Sequence, residues 1–364
     1  MNIIINSEEF VKHLNIVIGV VDRKQTMPIL GNVLITGKSG EITLTSTDLE
    51  VQISSTFKAN ISEDFAITLP GRKLFDILRS LSNKDIEVSI NKEAVVLKTE
   101  YSKFSLQQLP ANEFPLFEEA NSDQTFSISQ TELSGLFNKT QFAMAQQDVR
   151  FYLNGLLIEI NPKQINIVGT DGHRLAKTTQ QLEKKDINDQ ACIVPRKAIQ
   201  ELTRSLTDNK ECKVSFSDNQ ASFSFSGVTL TTKLIDGTFP DYSRVIPAET
   251  KTDILLDISE IKPALQRVSI LANEKFKGVR VDIENTKITI SSENPEQEQA
   301  VEDLNIDDTG IKLSIGFNVS YLIDAINACK GEIVSIGVND ENTSALITDP
   351  SDPNTKYVVM PMRL

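Results

Sequence analysis

Histidine and cysteine are scarce in this 364-residue chain, and their scarcity removes several classes of protein at once. The two histidines, His13 and His173, stand far apart, so a histidine-based metal centre has no ligand spacing to build on. The three cysteines, Cys192, Cys212 and Cys329, form no Cys-x-x-Cys pair, and an odd, scattered set reads as reduced structural thiols. No apolar run approaches the roughly 18 residues of a membrane span. Residues 1–10 have neither the basic region nor the long apolar core of a secretory signal. The expectation is a cytoplasmic protein with no metal, no cofactor and no membrane partner.

Positive charge is also in deficit: 37 basic against 50 acidic side chains leave a net charge of −13, which at first sight argues against nucleic acid. The distribution qualifies that. Residues 1–121 carry 12 basic and 16 acidic side chains, residues 122–247 carry 14 of each, and residues 248–364 carry 11 and 20. The acidity is concentrated in the last third.

What the chain does have is internal repetition. Ile29-Leu30-Gly31-Asn32 followed by Val33-Leu34-Ile35 has a counterpart 123 residues on, Tyr152-Leu153-Asn154-Gly155 followed by Leu156-Leu157-Ile158. The same step leads from Gly155 to Gly278, and from Thr47-Asp48 to Thr170-Asp171 and on to Glu293-Asn294. Pro70-Gly71-Arg72-Lys73 matches Pro195-Arg196-Lys197, and Phe114-Pro115 matches Phe239-Pro240. Three segments, 1–121, 122–247 and 248–364, account for this spacing.

Each segment repeats one grammar. A short strand leads to an amphipathic helix: residues 7–21 present Phe10, Leu14, Val17 and Val21 on one face. The second copy opens at Ser129 with Glu132 three residues on, a capping-box pattern, and the third near Ser259. Alternating strands follow, then a second helix at 72–81, 196–206 and 319–329. Six helices with antiparallel sheets make an α+β plan of three like domains. Such units can stack edge to edge, and a curved stack can close into a ring.

The second helices of the first two segments start with Arg72-Lys73 and Arg196-Lys197, joined by Lys12, Arg23, Lys24, Arg79, Lys139 and Arg204 on or near helices. Side chains so placed can touch a phosphate backbone without reading sequence, and the absence of an aromatic ladder favours duplex over single strand. Residues 288–311 hold Glu293, Glu296, Glu298, Glu302, Asp303, Asp307 and Asp308 and no basic residue. Lys98 and Lys103, near Phe104 and Leu106 in the first segment, complement them, which suits head-to-tail pairing of two copies.

The most enzyme-like stretch is Gly169-Thr170-Asp171-Gly172-His173-Arg174-Leu175-Ala176. Asp171, His173 and Arg174, with Asp48, could suggest a hydrolase. The repeat argues otherwise, because Thr47-Asp48-Leu49 and Glu293-Asn294-Pro295 occupy the same turn without histidine, and no nucleophile with a neighbouring base stands elsewhere. A protein-interaction scaffold without a DNA role is a second alternative, and the basic helix ends argue against it.

Over its whole length the chain resembles the bacterial DNA polymerase III beta subunit family, the sliding clamps. The resemblance rests on Pro28-Ile29-Leu30-Gly31-Asn32, Thr47-Asp48-Leu49-Glu50, Gln147-Asp148-Val149-Arg150, the stretch from Thr170 to Ala176, Phe239-Pro240-Asp241-Tyr242, Asn273-Glu274-Lys275-Phe276, Gly316-Phe317-Asn318-Val319-Ser320-Tyr321 and the ending Tyr357-Val358-Val359-Met360-Pro361-Met362-Arg363-Leu364. It implies a non-catalytic processivity factor: three clamp domains per chain, closed as a head-to-tail homodimer around double-stranded DNA. The implied partners are the replicative polymerase, an ATP-driven clamp loader and other proteins carrying a clamp-binding motif.

By the same resemblance, DNA would meet Lys24, Arg72, Lys73, Arg79, Gln147, Arg150, Tyr152, Arg196 and Lys197. A pocket for partner peptides would comprise Leu153, Thr170, Gly172, His173, Arg174, Leu175, Pro240, Arg244, Val245, Asn318, Tyr321, Ser344, Val358, Val359, Met360, Pro361, Met362, Arg363 and Leu364. In it, apolar walls would take an anchor while His173, Arg174 and Asn318 offer hydrogen bonds. The dimer contact would use Lys103, Phe104, Leu106, Ile270, Leu271, Glu296 and Glu298. Residues 22–26, Asp22-Arg23-Lys24-Gln25-Thr26, depart from relatives that carry glycines there.

Overall fold

A computed structural model describes residues 1–21, 27–81, 85–91, 94–118, 124–182 and 187–363. Lys24, Leu364 and the boundary between residues 121 and 122 lie outside the described residues. Six α-helices are present among them: α1 (Ser7–Val17), α2 (Gly71–Ser80), α3 (Gln130–Thr140), α4 (Arg196–Ser205), α5 (Ile258–Ser269) and α6 (Val319–Ala328).

Local chemistry sets where the helices begin. Asn6 Oδ1 accepts the amides of Glu8 and Glu9 at 3.1 and 3.2 Å, Asp257 accepts that of Ser259 at 2.7 Å, and Asn318 that of Ser320 at 2.9 Å. Each side chain satisfies amides that the first turn leaves without partners. Helix α1 stops four residues before the expected Val21. Just past its end, the Glu201 carboxylate and the Arg204 guanidinium lie where a Cβ on Gly19 would be, so the glycine lets α4 approach closely. Val21 is buried all the same.

Every repeat contributes two four-stranded antiparallel sets. In the first they are Asn32–Lys38, Glu41–Thr47, Val51–Lys58, Phe65–Pro70 and Asn2–Asn6, Asp85–Ile90, Ala94–Lys98, Lys103–Gln107. The sets do not stay within their repeats. Val51–Lys58 pairs with Val228–Lys233 of the second repeat, Ile53 opposite Leu230. Arg174–Gln181 pairs with Asp352–Val359 of the third, Leu175 opposite Val358. Two eight-stranded sheets result, each drawing four strands from each of two consecutive repeats.

The compact units follow those sheets rather than the repeats: one comprises residues 1–134 with 197–234, the other 135–196 with 235–364. In the first, α1 and α2 pack together behind the sheets, with Leu14, Val17, Leu74 and Leu78 buried. In the second, α5 and α6 do the same with Ile261, Leu265, Val268, Leu322 and Ile326. Among the outer strand edges, Lys103–Gln107 and Gln299–Asn305 are the repeat counterparts of the edges joined between consecutive repeats, and no described residue pairs them.

Candidate functional site

The turn that resembled an active site is a backbone device. Asp171 Oδ1 accepts the amides of His173 and Arg174 at 2.9 and 3.0 Å, and Thr170 Oγ1 donates to Arg174 O at 2.6 Å. Gly172 takes φ +87°, where a side chain would be strained. The first repeat builds the same turn without histidine: Asp48 Oδ1 accepts the amides of Glu50 and Val51 at 3.0 and 2.7 Å, and Leu49 stands at φ +76°. Asp171 is therefore occupied, and the histidine is an addition.

Arg174 is the hub of this site. Its Nε meets Asp171 at 3.0 Å, one terminal nitrogen meets Asp324 of α6 at 2.6 Å, and the other meets Phe142 O at 2.7 Å. Its guanidinium lies 4.4 Å from the ring centre of Tyr321. With 13% of its side chain exposed, it ties the turn to α6 rather than waiting as a free donor. Asn318 is likewise committed, capping α6 and donating to Phe276 O at 3.3 Å. Of the three expected hydrogen-bonding side chains, His173 alone is exposed. Beside it opens a cleft of about 300 Å3 lined by Phe142, Met144, Asp148, Asp171, Arg196 and Tyr321 among others. Burial is the chief cause that raises the Tyr321 hydroxyl above the usual tyrosine value, followed by the Asp171 charge.

The apolar part is a cluster of Leu157, Val168, Leu175, Ile193 and Val358, against which Tyr152, Phe239, Tyr242, Val245, Ile246 and Leu346 pack half-buried. Tyr242 is fixed by donating to Glu159 Oε2 at 2.6 Å. Burial and that bond hold its hydroxyl well above the usual range. Leu175, Val245 and Val358 thus share one apolar cluster. Val359 does not join them: strand alternation turns it and Tyr357 to the opposite face, into the core behind α6. Leu153 is also buried, at 1% exposure. Met360 donates to His173 O at 2.9 Å and Met362 to Gly316 O at 2.8 Å, so the tail is stitched to the turn and to the strand Lys312–Asn318. Pro240 and Arg244 are exposed, Arg244 paired with Asp241 at 2.7 Å, and Ser344, Pro361 and Met362 are half-buried.

Basic side chains at helix starts oppose the helix dipole, at about 0.3–1 kcal/mol each, so their contacts matter. Arg72 donates to Val21 O at 3.0 Å and Arg196 to Met144 O at 2.9 Å, equivalent carbonyls 123 residues apart. Burial, then the Arg174 charge, lowers the pKa of Arg196. Lys197 reaches Val20 O at 3.2 Å and Asp48 at 2.5 Å. These three are largely spent within the fold. Lys73 and Arg79 are exposed, with no ion-pair partner among the described residues. Gln147 is exposed at φ +55°. Arg150 is exposed too, but forks onto Asp148 at 3.0 and 2.9 Å and bonds Asp171 O at 3.1 Å. Its hydrogen bonds hold the Asp148 carboxyl down at about 2.

The expected dimer residues lie on the two unpaired edges and beside them. Lys103, Phe104 and Leu106 belong to the strand Lys103–Gln107, and Leu106 is buried. Ile270 follows α5 with 74% of its surface exposed, next to Leu271. Glu296 and Glu298 occupy the turn before Gln299–Asn305, where Asn294 donates to Glu298 at 2.6 Å. Sequence reasoning did not find Asp324 and Phe142. They meet Arg174 only across 150 and 32 residues, and neither stands in a motif.

Three like repeats, with no catalytic group assembled among the described residues, an apolar cluster beside the Arg174 turn and basic helix ends, fit a binding protein rather than an enzyme. Comparison with known proteins names the family. Models of the DNA polymerase III beta subunit match as N-terminal domain over residues 1–118, central domain over 127–241 and C-terminal domain over 243–363. The beta sliding clamp of Pseudomonas aeruginosa is 41% identical, and that of Escherichia coli K12 is 38% identical, each covering 100% of both chains. A crystal structure of the P. aeruginosa DNA polymerase III subunit beta superposes with a TM-score of 0.96 at 40% identity over 100% of both chains. The DnaN sliding clamp of Bartonella birtlesii, solved bound to griselimycin, gives 0.96 at 33% identity over 100% of both. The chain belongs to the DNA polymerase III beta subunit family, the sliding clamps, and is a non-catalytic processivity clamp of DNA polymerase.

Proposed function

We propose that two copies of the chain close head to tail around duplex DNA, in the cytoplasm, and tether the replicative polymerase and other partners through the Arg174-centred pocket. The domains divide at residues 121/122 and 247/248. One observation carries the assembly. Neighbouring repeats are joined twice by the same edge-strand pairing, and the third such pair of edges, Lys103–Gln107 and Gln299–Asn305, is left open. Unpaired strand edges invite a partner strand.

The repeat also supplies the register. Leu230 lies five residues before Ile235 and Phe104 five before Leu109, while Gln52, Leu175 and Gln299 all lie opposite the equivalent positions Thr47, Thr170 and Glu293. Ala300 then faces Phe104 of the other copy as Ile53 faces Leu230. The side-chain ties agree. Within the chain the Asp48 turn anchors Lys197 of the next repeat. Lys73, the counterpart of Lys197, then meets the acidic turn of Glu296 and Glu298 across the seam.

DNA is met without sequence reading by Arg79 and Gln147, which the fold leaves exposed, and by Lys24, Arg150 and Tyr152. A partner peptide lays its apolar anchor over Leu175 and Val358, between Val245 and Leu346, with His173 and the tail from Met360 to Leu364 at the rim. Opening belongs to an ATP-driven loader.

The decisive experiment loads the protein onto primed circular DNA with a competent loader and then linearises the circle. Retention that survives moderate salt and vanishes on cutting is expected. Electrostatic binding alone would fall steeply with salt whatever the ends. Equal retention on circles and linear DNA overturns the reading.

A further inference from the structure

In each repeat the segment that leaves the domain first bonds to the edge strand of the four-stranded set carrying the shared turn. Leu109 donates to Thr68 Oγ1 at 3.1 Å, Ile235 to Ile193 O at 2.9 Å and Met362 to Gly316 O at 2.8 Å. In the first two repeats the segment then folds over the sheet face. Phe114 packs on Leu34, and the Phe117 amide donates to Gln52 at 2.8 Å. Phe239 and Tyr242 join the cluster of Leu157 and Leu175. Both covering segments carry Phe-Pro, one intervening residue and a second aromatic: Phe114-Pro115-Leu116-Phe117 and Phe239-Pro240-Asp241-Tyr242.

On the third face no described residue makes that crossing. A groove of about 770 Å3 lies there, lined by Phe276, Arg280, Ser291, Val301 and Met362 among others. Arg280 stands where Leu157 stands in the second repeat and Ser291 where Val168 stands, at the same step of 123 residues. In the single chain Phe276 and Val301 leave 57% and 59% of their surfaces exposed, Val301 being on the strand that the proposed seam pairs with a second copy. Arg280 is exposed and has no ion-pair partner among the described residues.

We propose that this groove is a second docking site, taking an extended segment of a partner protein that carries Phe-Pro, an acidic residue and a further aromatic. The chain itself shows what fits the face, having covered its two sister faces with Phe-Pro-x-aromatic segments, of which the second carries an acidic residue, Asp241. Proline holds the segment extended, so little order is lost on docking. Phe276 and Val301 receive the aromatic rings. Arg280, exposed where the second repeat has a leucine, offers a charged partner to an acidic residue of the docked segment. The site goes beyond the Arg174-centred pocket, with which it shares Met362 and Arg363.

The probe is a labelled peptide of residues 236–246, which contains Phe239-Pro240-Asp241-Tyr242, titrated against the whole protein by fluorescence anisotropy. Saturable binding is expected, weakened at least tenfold by R280E and by Ser291→Trp, which fills the groove. A peptide with Asp241→Lys should bind wild type poorly and recover on R280E. No saturation at millimolar protein overturns the proposal. So does binding that neither variant changes, because the peptide would then be exchanging into its own place in the second repeat.

Discussion

At the scale of single residues, the turn at Thr170–Arg174 shows how little of an active-site appearance is chemistry. Asp171 is used up by two backbone amides and Arg174, and the equivalent Asp48 does the same backbone task. Gly172 is required by geometry: at φ +87° a Cβ would also meet the Arg150 guanidinium at 2.9 Å. Gly172→Ala should therefore cost about 1–2 kcal/mol, the left-handed penalty for an L-residue, measured by chemical denaturation. An unchanged midpoint would refute the strain. The thiols give a second residue-scale prediction. Burial is the first cause that pushes Cys192, Cys212 and Cys329 up to about 12. At pH 8 about one thiol in ten thousand is then ionised. Iodoacetamide should leave the native protein unmodified by mass spectrometry and label all three on unfolding.

Elements are where the repeat does its structural task. Edge strands, not loops, join successive domains, so the compact units run across the repeat boundaries. Helix-start cations, unfavourable with respect to the dipole, are held by carbonyls of the segment that follows each repeat's first helix, Val21 and Met144. The segment holding Gln147 and Arg150 is held by a charged tie instead. Asp148 titrates at about 2, below the ordinary aspartate value of about 3.9. A depressed folded value means that the tie is fully present above about pH 3.9 and is lost as pH falls through about 2. The protection factors of amides 147–151, taken against the intrinsic rate at each pH, should fall within that window while the sheets stay protected. Protection already lost at pH 6 would rule the tie out.

For the whole molecule, the charge is divided rather than uniform: the acidic third repeat ends in one open edge and the first repeat offers lysines at the other. The proposed seam depends on Ile270, the counterpart of Gly19, where the chain admits α4 of the next repeat. Ile270→Ala with Leu271→Ala should reduce the particle from twice the chain mass to 40.4 kDa by light scattering at low micromolar concentration. Removal of residues 360–364 should abolish partner-peptide binding and leave that mass doubled. A double variant that stays dimeric would move the seam elsewhere.

The sequence by itself determined the three repeats, the six helices and the α+β plan, because apolar periodicity and turn residues are local properties that each segment states for itself. Through the family resemblance it also grouped Leu175, Val245 and Val358, which share one apolar cluster. Tertiary structure decided the rest. That Arg174 and Asn318 are committed within the fold depends on Asp324, Phe142 and Phe276, far away in sequence. That Val359 turns inward and Arg196 and Lys197 are bound to carbonyls depends on strand register and on which chain segments meet. Motif spacing is blind to such partners, since a charge shows its use only when the group that neutralises it is in place. The turn at Asp171 could be read as chemistry until its hydrogen bonds were counted.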